Sequence, residues 1–302
     1  MKLGDYLNAI NYTKEPLLDT DDESVEKGYT PFVVNRCLSY FIDTVLYANE
    51  MNLRPETDKK MQFDYVSDLH IDHWDRNYET DTGIGIRKHF PMKWEKGRSD
   101  ILVIAGDISD SIINSVEYIL KIKKHYKKII FIDGNHEHYF KKGKLLDYHN
   151  IMENFYYLKN IYYLPKEEVI IDNCVFVGCC GWWDFDGGNS EIENREIFNR
   201  ANYEFKELIK KLDKYSNDDN IKEIIIVTHT VPLPRFVRQK EFDHNTNFIK
   251  INKLNYPKIS RWVFGHSHQK YNFLGCGINY ISNPRGRPDD YDREEYNIMT
   301  SN

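Results

Sequence analysis

The chain has no apolar run approaching the roughly 18 residues that a membrane-spanning helix needs, and no basic-then-apolar leader at its N-terminus. A soluble, non-exported, cytoplasmic protein without a membrane partner is the expectation. Cysteine is scarce: Cys37, Cys174, Cys179, Cys180 and Cys276 include no CxxC pair and no dense spacing. That excludes a CxxC-type metal site and a disulfide framework, and fits a reducing compartment. Surplus positive charge is missing too, since 41 Lys and Arg face 47 Asp and Glu, a net of -6. Residues 1–60 hold 7 against 11 of these. Neither part has the basic excess that drives non-specific polynucleotide binding, so nucleic acid is expected only as a substrate. The basic cluster Lys121, Lys123, Lys124, Lys127 and Lys128 falls at a predicted helix end, where a solvated face is the expectation and a local basic groove the alternative.

Internal repeats and low-complexity linkers are also absent, and one organisational break stands out, near residue 60. Residues 1–60 read as a small helical extension. Thr30 and Pro31 supply an N-cap and a first helical residue, and Val34, Cys37, Leu38, Phe41, Val45 and Leu46 recur three and four apart up to about Met51. About 60 residues with one good helix bury little alone, so the segment is expected to dock on the body, to dock on a partner, or to be partly disordered. Residues 61–302 form the second domain. Short β-branched runs at Phe63 to Val66, Ile101 to Ala105, Ile129 to Ile132, Val169 to Ile171, Val175 to Val177, Ile224 to Val227 and Trp262 to Phe264 predict strands. Helical stretches at Ser111 to Tyr126 and Glu191 to Tyr215 fall between them, which makes the fold class α/β. The runs near Tyr271 to Leu274 and Ile278 to Ile281, divided by Gly275 and Gly277, predict a hairpin.

Five polar clusters follow these strands in order: SDLH at Ser67 to His70, GDISD at Gly106 to Asp110, GNHE at Gly134 to Glu137, THT around His229, and GHSH at Gly265 to His268. Each alone is weak, because an aspartate behind a strand usually serves a turn and a lone histidine usually packs in a loop. Together they supply carboxylates, an amide oxygen and imidazoles in the proportions that two adjacent divalent ions require. Glycines before the functional residues let the backbone turn sharply.

This series resembles the calcineurin-like metallophosphoesterase superfamily, whose motifs run DxH, GDxxD, GNH[DE], a histidine after a strand, and GHxH. The resemblance covers roughly Met61 to Arg287 and matches every motif without substitution. It implies two mixed β-sheets packed as a sandwich flanked by helices. It further implies a phosphomonoester or phosphodiester substrate, hydrolysed by attack of a metal-bridged hydroxide. One metal would be held by Asp68, His70 and His268, the other by Asn135, His229 and His266, with Asp107 bridging. The ions would be Mn or Fe, with Zn as the alternative. His136 resembles the family's catalytic histidine, which protonates the leaving oxygen, and Asp110 would orient it; a helix N-cap is the other role open to Asp110. Trp182, Trp183 and Asp184 resemble a segment found in small bacterial and phage relatives and could wall the cleft, an ordinary core or surface aromatic pair being the other reading. Arg285 and Arg287 in SNPRGRP resemble a segment where a guanidinium could clamp phosphate, and His138 and Tyr139 are further candidates for the cleft lining.

A second resemblance covers the extension. NRCLSYFIDTVLYANEMN at Asn35 to Asn52, followed by DKKMQFDY, is similar to the start of the bacteriophage DNA polymerase clamp loader A subunit. It implies a gene fusion in a phage-like genome and a replication or clamp-loader partner bound through residues 1–60. A replication-associated binding protein is therefore the alternative to the enzyme.

Overall fold

The computed structural model describes residues 60–74, 78–80, 83–85, 94, 97–138, 158–183, 192–237, 245–288, 290 and 296–301. The helix read up to residue 51 and the break near residue 60 fall outside the described residues, as do Tyr139 and Asp184. In chain order the elements are β1 (Asp64–Val66), α1 (Ile71–Trp74), β2 (Tyr78–Thr80), β3 (Gly83–Gly85), β4 (Ile101–Ala105), α2 (Ile112–Ile122), β5 (Lys128–Ile132) and β6 (Ile161–Tyr163). There follow β7 (Val169–Ile171), β8 (Cys174–Cys179), α3 (Ile192–Ser216), β9 (Glu223–Thr228), β10 (Ile259–Val263), β11 (Tyr271–Gly275), β12 (Ile278–Ser282) and β13 (Met299–Thr300).

One sheet runs β13-β1-β4-β5-β6, with β1, β4, β5 and β6 parallel and β13 antiparallel at the edge. The other runs β11-β12-β10-β9-β8-β7; its central strands are parallel and its two edges antiparallel. Both sheets are mixed, as expected. The pair β2 and β3 stands as a separate small hairpin.

Side-chain alternation sets the layers. Along β4 and β5, Val103, Ala105, Ile130 and Ile132 face one way, and Leu102, Ile104, Ile129 and Phe131 the other, the period of two that a pleated strand imposes. The first set shares a core with Val169, Phe176, Ile225, Val227, Val263 and Ile281 of the second sheet, so this core is the sandwich interior. There Phe63 meets Phe176 edge-to-face at 5.5 Å. The second set packs under α2 through Ile112, Ile119 and Ile122. Ala201, Leu208, Leu212 and Tyr215 are buried on one stripe of α3, which lies against β8 and β9.

The expected hairpin is β11 and β12, with Cys276 at φ 47° and Gly277 at φ 70° between the paired Gly275 and Ile278. Positive φ at both loop residues matches the twist of the flanking strands. Strands β2, β3, β6 and β13 and the single turn α1 have no counterpart in the periodicity, because they are too short to show one. Among the described residues no helix is long and apolar enough to cross a membrane.

Candidate metal centre

The seven candidate ligands converge where two sheets end. Asp68 and His70 leave β1, Asp107 leaves β4 and Asn135 leaves β5, while His229 and the His266/His268 pair leave β9 and β10 of the facing sheet. Val66 is level with Ile104 and Ala105 with Ile132, so the first three loops begin side by side. Backbone bonds then fasten loop to loop: Asp68 N–H to Gly106 O (3.0 Å), His70 N–H to Asp107 O (3.1 Å), and Gly265 N–H to His229 O (3.0 Å). The chain bends hard to achieve this. Asp68, His70, Asp107, His266 and His268 all hold φ between 42° and 68°. Side-chain-bearing residues avoid that region at a cost of about 1 to 3 kcal/mol each, and such strain gathers at functional sites. Gly134 is glycine for a related reason, since a Cβ there would sit 2.1 Å from Asp107 Oδ1.

Three donor groups result among the described residues. Asp68, His70, Asp107 and His268 each offer one ligand atom within 4.8 Å of the others, as do Asp107, His229 and His266. The third, His70, His73, Asp110 and His136, adjoins the first through His70. Asp107 belongs to the first two. Its Oδ1 is anchored by the His136 amide at 2.9 Å, which leaves Oδ2 between His229 Nε2 (3.2 Å) and His70 Nε2 (3.7 Å). Asn135 Oδ1 joins the second group, 3.0 Å from both His229 Nε2 and His266 Nδ1. In the first, His70 Nε2 and His268 Nε2 are 3.0 Å apart, and Asp68 Oδ1 is 3.6 Å from His268 Nε2.

These residues fit a pair of divalent ions. Ligands held about 2.1 Å from one ion at tetrahedral or octahedral angles stand roughly 3.0 to 3.4 Å apart, the range of the closest contacts here. Proton positions agree. His229 Nδ1 faces Ala105 O at 2.9 Å and His268 Nδ1 faces Asp290 Oδ2 at 2.6 Å, and neither oxygen can donate. With Nδ1 so engaged, each ring turns Nε2 inward, the atom that would meet a cation. Asp68 Oδ2 is buried without a hydrogen-bond partner, an expensive arrangement unless a cation meets it. Burial opposes charge on His229, yet the carboxylates of Asp107 and Asp68 push it up to about 10, a measure of how strongly the pocket attracts positive charge. His70, where burial dominates, stays well below the usual histidine range and so keeps a free lone pair.

Beside the ligands stands His136. Its Nδ1 is 2.6 Å from Asp110 Oδ1, and its Nε2 accepts from Arg287 Nη2 at 2.7 Å. Burial works against charge on this ring, but Asp107 and Asp110 raise its pKa overall. Ser111 occupies the N-cap of α2, so Asp110 is free of the capping role and its carboxylate faces imidazoles. Trp183 stacks over His266 (5.7 Å, 28°), whereas Trp182 is buried against His138. His138 itself is 3% exposed and bonded to Asp133, so it lies behind the site instead of lining it. Arg285 stacks its guanidinium 4.2 Å from the Trp74 ring.

Three contributors went unread in the sequence. Asp290 reaches His268 from a segment with no motif. Glu137, although inside GNHE, gathers five donors at once: the amides of Asp107, Ile108, Ser109 and Gly134 and the hydroxyl of Ser115. His73 donates towards Asp110; its place three residues after His70 was the available signal.

The pattern of the calcineurin-like phosphoesterase family matches residues 61–270. Uncharacterized protein L509 of Acanthamoeba polyphaga mimivirus is 27% identical over 275 residues, covering 77% of this chain and 93% of that protein. A probable cyclic nucleotide phosphodiesterase of Ruthia magnifica subsp. Calyptogena magnifica is 25% identical over 232 residues, covering 74% and 84%. The solved phosphopantetheinyl hydrolase of Mycobacterium tuberculosis superimposes with a TM-score of 0.54 at 14% identity, covering 75% of this chain and 90% of that one. At that identity the likeness speaks for the fold alone. With more than half its length matched by the family pattern, the chain belongs to the calcineurin-like phosphoesterases.

Proposed function

We propose that this phosphoesterase works with two divalent ions, one held by Asp68, His70 and His268 and the other by Asn135, His229 and His266, with Asp107 shared. Mn or Fe suits the mixed nitrogen and oxygen donors, and Zn is the alternative. The observation that carries the reading is the membership of Asp107 in two donor groups, since a shared carboxylate offsets the repulsion between neighbouring cations. When bound, the ions supply Lewis acidity towards a phosphoryl oxygen and lower the pKa of a water towards neutrality.

The protein's own groups would do the rest. As the water oxygen bonds to phosphorus and the ester P–O bond breaks, His136 gives the Nε2 proton to the leaving oxygen. Asp110 keeps the other ring nitrogen protonated and the ring aimed. Arg287 now donates to His136 Nε2; an anionic phosphoryl oxygen is a stronger acceptor and would take over that guanidinium, leaving the imidazole to carry its proton. Trp183 supplies an aromatic wall beside His266.

The substrate is a phosphomonoester or phosphodiester. The test pairs Mn-, Fe- or Zn-loaded protein with aryl phosphomonoester and diester reporters, single-stranded DNA and cyclic nucleotides. Turnover is expected to vanish on chelation, return on metal addition, and fall at least about 10³-fold in Asp107→Asn. Equal turnover by that variant would end the proposal.

A further inference from the structure

Asp110 is held by two imidazoles. Its carboxylate accepts from His136 Nδ1 at 2.6 Å and from His73 Nε2, which lies 3.1 Å from Oδ1 and 3.0 Å from Oδ2. An ionised carboxylate only accepts, so both imidazole nitrogens that face it carry protons. Its surroundings hold Asp110 below the usual carboxylate range; burial opposes this, but the hydrogen bonds of both imidazoles prevail. The main chain is held as well. Asp72 Oδ2 accepts from the Asp110 amide and from Ser109 Oγ, both at 2.9 Å. Asp72 and His73 lie in the one turn α1, whose first amide, Ile71 N–H, is tied to Ile108 O at 2.9 Å. A short turn between the ligand His70 and the loop 108–111 thus fixes the backbone of Asp110 with one residue and its side chain with the next.

The side chain of Asp110 is 29% exposed and that of His73 is 23% exposed, so water competes for the carboxylate. A carboxylate with one donor in such a place can rotate about its χ angles, and a second donor that spans both oxygens restrains it. The rings complete the arrangement, with His73 edge-on to His70 at 5.4 Å and to His136 at 6.1 Å.

We propose that His73 is a positioning residue for leaving-group protonation: by bridging both oxygens of the Asp110 carboxylate, it fixes the tautomer and direction of His136. The proposal rests on the phosphoesterase reading for its chemistry, but its geometry can be tested separately. His73→Gln places an amide N–H where Nε2 stood, while His73→Asn draws that donor back by one methylene; neither change enters the core. Turnover is compared on two esters of one class, a poor alkyl leaving group and a good dinitrophenyl one that needs no proton. For His73→Asn the expected result is a kcat loss of about 10- to 100-fold on the alkyl ester, under about 3-fold on the dinitrophenyl ester, with KM within about 2-fold. His73→Gln should stay within about 3-fold on both.

Equal losses on the two esters, or Gln no better than Asn on the alkyl ester, would overturn the proposal. The downfield NMR signal of the His136 Nδ1 proton is read in the same proteins without substrate, and should persist in Gln and vanish in Asn. Its survival in Asn overturns the proposal whatever the turnover. A wild-type protein inactive on both esters would sink the phosphoesterase reading, and the proton signal would then decide the positioning role alone.

Discussion

His136 and Asp107 are joined by one hydrogen bond, from the His136 amide to Asp107 Oδ1, yet their side chains do opposite work in the proposed reaction. Asp107 Oδ2 sits among imidazole nitrogens at 3.2 and 3.7 Å, where a cation would meet the converging lone pairs. His136 instead has one ring nitrogen against Asp110 and the other against Arg287, the arrangement of a proton carrier. His136→Asn is therefore expected to keep the full metal content, measured by elemental analysis of the dialysed protein, while turnover falls about 10²- to 10⁴-fold. Metal loss in that variant would reverse the division of roles. These residues were legible because nothing else explains polar clusters behind five strands. His138 shows the limit of such legibility: chemically it equals His136, but its bond to Asp133 buries it behind the site.

At the scale of elements, the strands and both long helices follow from period and β-branching, and the hairpin from its glycines. What periodicity missed are pieces of two to four residues, α1, β2, β3, β6 and β13, too short to show a period. The loops of the site form the next case. Glu137 ties the loop after β4 to the loop after β5 by accepting three amides from one, one from the other, and the Ser115 hydroxyl of α2. Burial and the nearby Asp107 raise its pKa, and the donated hydrogen bonds work in the other direction. Glu137→Gln would turn an N–H₂ towards these donors. A loss of about 2 to 4 kcal/mol in denaturant unfolding is expected, with metal affinity weaker by about 10- to 100-fold. Unchanged affinity would show that the two loops keep their spacing without the carboxylate.

Across the whole molecule, the site lies at the C-terminal strand ends, while the lysine cluster sits at the opposite end of β5, which begins at Lys128. There Lys127 pairs with Asp100 at 2.7 Å, and the rest surround the C-terminal end of α2, where cations complement the helix dipole. The solvated face read from the sequence is thus sufficient. We propose that residues 1–60 are a separate extension that binds a replication protein, as the clamp-loader resemblance implies. A chain of residues 61–302 should then keep kcat and KM within about 2-fold and lose co-purification with sliding-clamp or clamp-loader proteins. Undiminished binding by the shortened chain would remove that role.

Strand period determined the α/β class, and the order of five polar motifs carried the resemblance that implied the candidate ligands and the expected chemistry, because residue type and spacing are local properties of the chain. Only the tertiary structure decided that the ligands come from two facing sheets, that Asp107 stands between two donor groups, and that His73, Glu137 and Asp290 support them. Those are relations between loops up to 222 positions apart, from Asp68 to Asp290, set by strand register and by strained turns that no local pattern encodes.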